Sequence, residues 1–177
     1  MHIGGIIEDD IVDCDSGVAV SLFTAGCPHK CKGCHNANLW DYNFGEDENI
    51  KDIIERLIYL IGKNDFERNF SVLGGEPLCP ENIKDVATII REVRSKYPNI
   101  KIYVWTGYNF EDLPDTVEMK DILYNIDVLI DGPYIEELRD TRLKLRGSSN
   151  QHIRLKSNGY AVEEKEWHYT VKMSLSL

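Results

Sequence analysis

The sequence has no apolar run approaching the roughly 20 residues of a membrane-spanning helix, and Met1 to Asp10 lacks the basic start and apolar stretch of a secretory signal. Together these absences lead to the expectation of a cytoplasmic protein with no membrane role. An excess of positive charge is also missing, since 20 Lys and Arg face 30 Asp and Glu for a net charge of -10. Proteins that grip phosphate backbones carry basic surfaces, so a global nucleic-acid-binding role is disfavoured. No internal repeat, low-complexity segment or long Pro/Gly/Ser linker divides the chain. One domain over residues 1–177 is expected, with the tail from about residue 158 unassigned, since a chain of this size buries about 70% of its unfolded surface. Cysteine is sparse: there are five, an odd number, and three fall between positions 27 and 34, unlike the paired spacing of a disulfide framework. Metal binding explains that crowding better.

Periodicity supplies the elements. Gly17 to Thr24 is a short apolar, β-branched run that reads as a buried strand. Ile50, Ile53, Ile54, Leu57, Ile58 and Ile61 recur at three- and four-residue steps and predict an amphipathic helix stopped by Gly62. Phe70 to Leu73 reads as a strand, followed by a helix from near Pro80 to before Pro98 with Ile83, Val86, Ala87, Ile90 and Val93 on one face. Strands are expected at Ile100 to Trp105 and Ile126 to Ile130, with little helix between Phe110 and Leu123 around Pro114. The pattern of His2 to Ile7 allows a further strand, and none is assigned beyond Asp131. Alternation of strands and helices predicts an α/β fold with a mostly parallel sheet, because parallel neighbours need a long crossover. The chain is shorter than the about 250 residues of a closed eight-unit barrel, so an open partial (βα) barrel is expected.

Each predicted strand runs into a glycine-containing polar motif: Ala25-Gly26-Cys27, Gly74-Gly75-Glu76-Pro77, Trp105-Thr106-Gly107-Tyr108 and Asp131-Gly132-Pro133-Tyr134. Any one of them is an ordinary turn. In parallel α/β sheets ligands bind beyond the carboxyl ends of the strands, so four such motifs in register predict one shared rim. The first holds CPHKCKGC, three cysteines at C-x3-C-x2-C spacing. A cubane iron-sulfur cluster takes four thiolate positions, and three in one loop leave an iron open, as in catalytic metal sites. Structural zinc is the competitor, needing a fourth ligand from His29, His35, Cys14 or Cys79, but a second C-x2-C unit is absent. Three unrelated buried thiols are the remaining alternative.

CPHKCKGCHN followed by GGEP resembles the radical S-adenosylmethionine (SAM) superfamily. SLFTAGCPHKCKGCHNANLWD and DVLIDGPYIEELRDTRLKLRGSSNQ are similar to those of its glycyl-radical activases that act on anaerobic ribonucleoside-triphosphate reductase; the likeness spans roughly residues 14 to 156. The resemblance implies a [4Fe-4S] cluster on Cys27, Cys31 and Cys34. It also implies SAM chelating the open iron, reductive cleavage to methionine and a 5'-deoxyadenosyl radical, and hydrogen abstraction from a backbone glycine of the reductase. An electron donor such as flavodoxin is implied as a second partner. Gly74, Gly75 and Glu76 correspond to the SAM amino-group site, where carbonyls and a carboxylate accept bonds from an ammonium. A β-branched side chain at Gly75 is therefore expected to block SAM without disturbing the thiolates.

Gly33 departs from the wider superfamily, which often has an aromatic residue there beside the adenine; His35 becomes the candidate for that contact. Asn36 and Trp40 are shared with the activase stretch, Trp40 as packing residue or pocket wall. Thr106 and Asp131 are candidates for a ribose or carboxylate contact, and Asp131 could equally cap a turn. Cys14 and Cys79 are expected to be inert thiols, and His2 and His168 ordinary histidines. Arg139, Arg142, Lys144, Arg146, Arg154 and Lys156 form a basic stretch that is either a solvated face or a docking patch for the reductase or an acidic electron donor. Two other functions share these features: a radical SAM synthase acting on a small molecule of deazapurine type, and a non-enzymatic iron-sulfur or zinc module.

Overall fold

The computed structural model describes residues 1–157 and the backbone of 161–164. Residues 158–160 and 165–177, His168 among them, lie outside the described residues. Seven strands form one sheet in the order of the chain: β1 (Ile3–Asp10), β2 (Ala19–Thr24), β3 (Asn69–Gly74), β4 (Ile102–Trp105), β5 (Val128–Asp131), β6 (His152–Ser157) and β7 (Ala161–Glu164). β2 to β5 run parallel, while β1, β6 and β7 pair antiparallel at the two edges. The sheet is open, with β1 and β7 at its edges.

Three helices make the crossovers between the parallel strands. α1 (Ile50–Ile61) starts where the Asn49 side chain accepts the Lys51 N–H, and ends at Gly62, whose N–H returns to carbonyls of the last turn. α2 (Ile83–Lys96) buries Val86, Ala87, Ile89, Ile90 and Val93. α3 (Val117–Asn125) corrects the expectation of little helix before β5. Pro114 lies outside it, Thr116 accepts the Met119 N–H as an N-cap, and Met119 and Ile122 anchor the inner face. β6 is likewise an addition, alternating Ile153 and Leu155 with Arg154 and Lys156.

All three helices pack on one face of the sheet. Alternate strand residues Val20, Leu22, Phe70, Val72, Ile102, Val104 and Leu129 join the α1, α2 and α3 side chains in the main core. Ala19, Tyr103, Val128 and Ile130 point the other way, packing with Cys14 and Ile153. That helix-free face and the carboxyl ends of β2 to β5 are left to loops.

Candidate functional site

A cavity of about 480 Å³ opens on this loop side, and each of the four strand-end motifs contributes to its wall: Cys27 after β2, Gly74 to Glu76 after β3, Thr106 and Gly107 after β4, and Gly132 and Tyr134 after β5. Cys31, Cys34, His35 and Asn36 line it too. Its far wall is one the sequence reading left unassigned: Val12 and Asp13 from the β1–β2 loop, and residues between Arg139 and Gln151.

Backbone hydrogen bonds weld the cysteine loop to the GGEP turn. Gly75 N–H donates to the Thr24 carbonyl at 2.8 Å and Glu76 N–H to the Gly26 carbonyl at 2.7 Å, while Cys27 N–H reaches the Trp40 carbonyl at 3.2 Å. The Asn82 amide bridges the Ala25 carbonyl at 2.8 Å and the Glu76 carbonyl at 3.0 Å. Gly74 has φ +110°, and a Cβ there would lie 2.7 Å from the Thr24 nitrogen, so the tight strand exit needs glycine. Gly33 has φ +73°, a backbone conformation in which an aromatic side chain beside Cys34 would be strained.

The three loop cysteines are free, as are Cys14 and Cys79. Burial pushes the Cys27 and Cys31 thiols up. Backbone hydrogen bonds from His29 and Lys30 to Cys27, and from Tyr134 to Cys31, oppose that shift. Such N–H groups aimed at sulfur are the kind that tune an iron-sulfur centre. Among the described residues no three His, Cys, Asp or Glu side chains converge as ligands of a single ion. Cys27, Cys31 and Cys34 all line the cavity, and in a cubane each thiolate holds a different iron. Cys14 and Cys79 are buried away from the cavity wall, and burial pushes Cys79 up to about 11.

The remaining expected residues divide. His35 and Asn36 line the cavity, whereas Trp40 does not, its carbonyl holding Cys27. Glu76 is 1% exposed, and its carboxylate accepts from the Leu78 N–H at 2.9 Å, the Thr106 hydroxyl at 2.8 Å and the Gly107 N–H at 2.7 Å. Thr106, expected at a ligand contact, thus turns its hydroxyl onto Glu76. Asp131, expected at a ribose or carboxylate contact, is fully buried outside the cavity wall. It is engaged by Arg154 at 2.8 Å and by the Phe110 N–H at 3.0 Å. Removing one member of such a buried pair costs about 3–5 kcal/mol, and both carboxylate oxygens of Asp131 are taken up by these contacts just before Gly132.

The basic stretch is not one free face. Arg142 pairs with Asp140 on its own loop, Lys144 donates to the Asp15 carbonyl, Arg146 to the Gln151 carbonyl and Lys156 to the Tyr124 carbonyl, and Arg154 is buried against Asp131. Lys144, Arg146 and Arg154 brace the far wall of the cavity and the sheet edge, whereas the Arg142 side chain is 88% exposed.

Asp13 was missed because nothing in its sequence context signals burial. Burial, then the hydrogen bond and charge of Asp10, push its carboxyl up to about 7 from 3.8. The folded state therefore holds an extra proton between those values, and stability falls as pH rises through that window. Asp13→Asn cannot ionise. It is expected to unfold at a higher temperature than the parent at about pH 8 and at nearly the same temperature at about pH 4, as read by circular dichroism. Equal differences at both pH values would contradict this.

The pattern of the family described as "4Fe-4S single cluster domain" matches residues 15–154. The anaerobic ribonucleoside-triphosphate reductase-activating protein of Escherichia coli is 36% identical over 151 residues, covering 81% of this chain and 92% of that protein. The protein of the same name from Vibrio cholerae is 36% identical over 144 residues, 77% of this chain and 87% of that protein. That of Enterobacteria phage T4 is 33% identical over 155 residues, 85% and 95% respectively. The matched span runs from just before β2 into β6 and so contains all four strand-end motifs that build the cavity. The chain belongs to the 4Fe-4S single cluster domain family and, within it, to the anaerobic ribonucleoside-triphosphate reductase-activating proteins.

Proposed function

We propose that this protein is a radical SAM activase: it cleaves SAM reductively at a [4Fe-4S] cluster and generates a glycyl radical on anaerobic ribonucleoside-triphosphate reductase. The observation that carries this reading is that a single cavity gathers Cys27, Cys31 and Cys34 with the backbone of Gly74 and Gly75. Three thiolates hold a cubane by three irons, leaving the fourth for a ligand.

When bound, the cluster supplies the electron that breaks SAM's carbon–sulfur bond to give the 5'-deoxyadenosyl radical. The chain's own residues do the positioning and the exclusion of water. Gly74 and Gly75 supply backbone acceptors for SAM's ammonium, in the turn that Glu76 shapes. His35 and Asn36 meet the adenosine end. N–H groups of His29, Lys30 and Tyr134 stabilise negative charge on the sulfurs.

In this reading the open sheet is a partial (βα) barrel, shorter than a closed one, whose exposed rim admits a glycine loop of the reductase from the side. An electron donor such as flavodoxin reduces the cluster. Five unpaired cysteines and an oxygen-labile centre fit a cytoplasmic setting.

The test is anaerobic reconstitution with iron and sulfide, then dithionite and SAM. Release of 5'-deoxyadenosine is expected. A loaded cluster that neither binds nor cleaves SAM would leave only an iron-sulfur module.

A further inference from the structure

Glu76 lines the cavity and is almost fully buried. A carboxylate has about four lone-pair sites. The Leu78 N–H and the Thr106 hydroxyl take Oε1, and the Gly107 N–H takes Oε2. The fourth is taken by His29, whose Nε2 lies 3.0 Å from Oε2. The first three donors belong to the GGEP turn and the β4 exit, and are fixed by the fold. His29 comes from the cysteine loop, between Cys27 and Cys31, and is the one donor reaching Glu76 from that side. Its ring is seated edge-on to Tyr108, with centroids 4.5 Å apart. Gly107 makes room for it, since a Cβ there would stand 2.5 Å from the imidazole Cδ2.

We infer that His29 is a positioning residue: through Glu76 it ties the cysteine loop to the two strand-end turns, and so holds Cys27 and Cys31 in place around the cluster. Because Glu76 is saturated, its carboxylate acts as the hub of this tie and is not a free acceptor for a ligand. The tie links residues 47 positions apart. It also joins the segment that carries Cys27, Cys31 and Cys34 to the segment that carries the GGEP backbone. A hydrogen bond from a ring only 19% exposed to a carboxylate only 1% exposed is worth more than a surface pair, because water competes little for either partner.

The inference rests on the cluster reading, and the experiment separates the two. Wild type, His29→Ala, His29→Gln and Gly107→Ala are reconstituted anaerobically; iron content, the rate of iron loss to a chelator and SAM affinity by equilibrium dialysis are measured. His29→Ala is expected to bind iron but to lose it about tenfold faster, the lower end of the about 10–100-fold effect of partners beyond the ligands. His29→Gln, which keeps an N–H donor, restores much of the retention. Gly107→Ala leaves His29 and Glu76 intact but pushes the ring off its seat, so it behaves like His29→Ala. Thermal unfolding of the four apo proteins serves as the control for folding.

Unchanged iron loss in both His29→Ala and Gly107→Ala would overturn the inference. So would tighter SAM binding in His29→Ala with unchanged iron loss, which would make His29 a stand-in that the ligand displaces. Failure of the wild type itself to take up iron would instead remove the cluster reading.

Discussion

Alanine at Cys27, Cys31 or Cys34 removes the cluster and with it all SAM cleavage, whereas alanine at Cys14 or Cys79 leaves both near the parent level. The three loop sulfurs face one cavity; the other two thiols are buried away from it, Cys14 5% exposed and Cys79 0%. Loss of a partner beyond the ligands already costs about 10–100-fold in metal affinity, and loss of a ligand itself costs more. Iron and sulfide content after anaerobic reconstitution, with 5'-deoxyadenosine release, checks this. Retention of the cluster in all three loop variants, or its selective loss in Cys79→Ala, would displace the ligand assignment.

The second large effect is at Gly75, where the structure changes what the sequence leads one to expect. A side chain there was expected to obstruct SAM alone. However, a Cβ at Gly75 would lie 2.4 Å from the Gly26 carbonyl oxygen, which accepts the Glu76 N–H immediately before Cys27. The atom in the way is backbone and cannot swing aside. Gly75→Val must therefore part the GGEP turn from the cysteine loop, at a cost of about 1–3 kcal/mol or more, typical of forced overpacking. Iron content and SAM binding are expected to fall together, with a lower thermal midpoint. Normal iron with weakened SAM binding would show that the turn and the loop are independent.

α1 was legible nearly to its ends, because its apolar stripe and Gly62 are local signals. The register of four glycine motifs at strand ends was legible for the same reason, and it predicted a common rim. α3 was not, since Pro114 masked the Thr116 cap two residues on. β6 was passed over although Ile153 and Leu155 alternate with polar neighbours, because nothing local says that it pairs antiparallel with β5.

The site divides on the same principle. Thiol spacing is local, so the cysteines could be read. The fates of Asp131 and Thr106 depend on Arg154 and Glu76, 23 and 30 residues away in the chain, and no periodicity encodes such partners. The far wall of the cavity has the same origin, assembled from loops in which Lys144 reaches the Asp15 carbonyl 129 residues away.

This chain is expected to place a radical on a protein. The most direct measurement is electron paramagnetic resonance of the cognate anaerobic ribonucleotide reductase after anaerobic incubation with the reduced, cluster-loaded protein and SAM. A stable glycyl radical signal on the reductase is predicted, dependent on SAM and absent with Cys31→Ala. A chemically altered small molecule with no radical on the reductase would contradict the account and make the protein a small-molecule synthase.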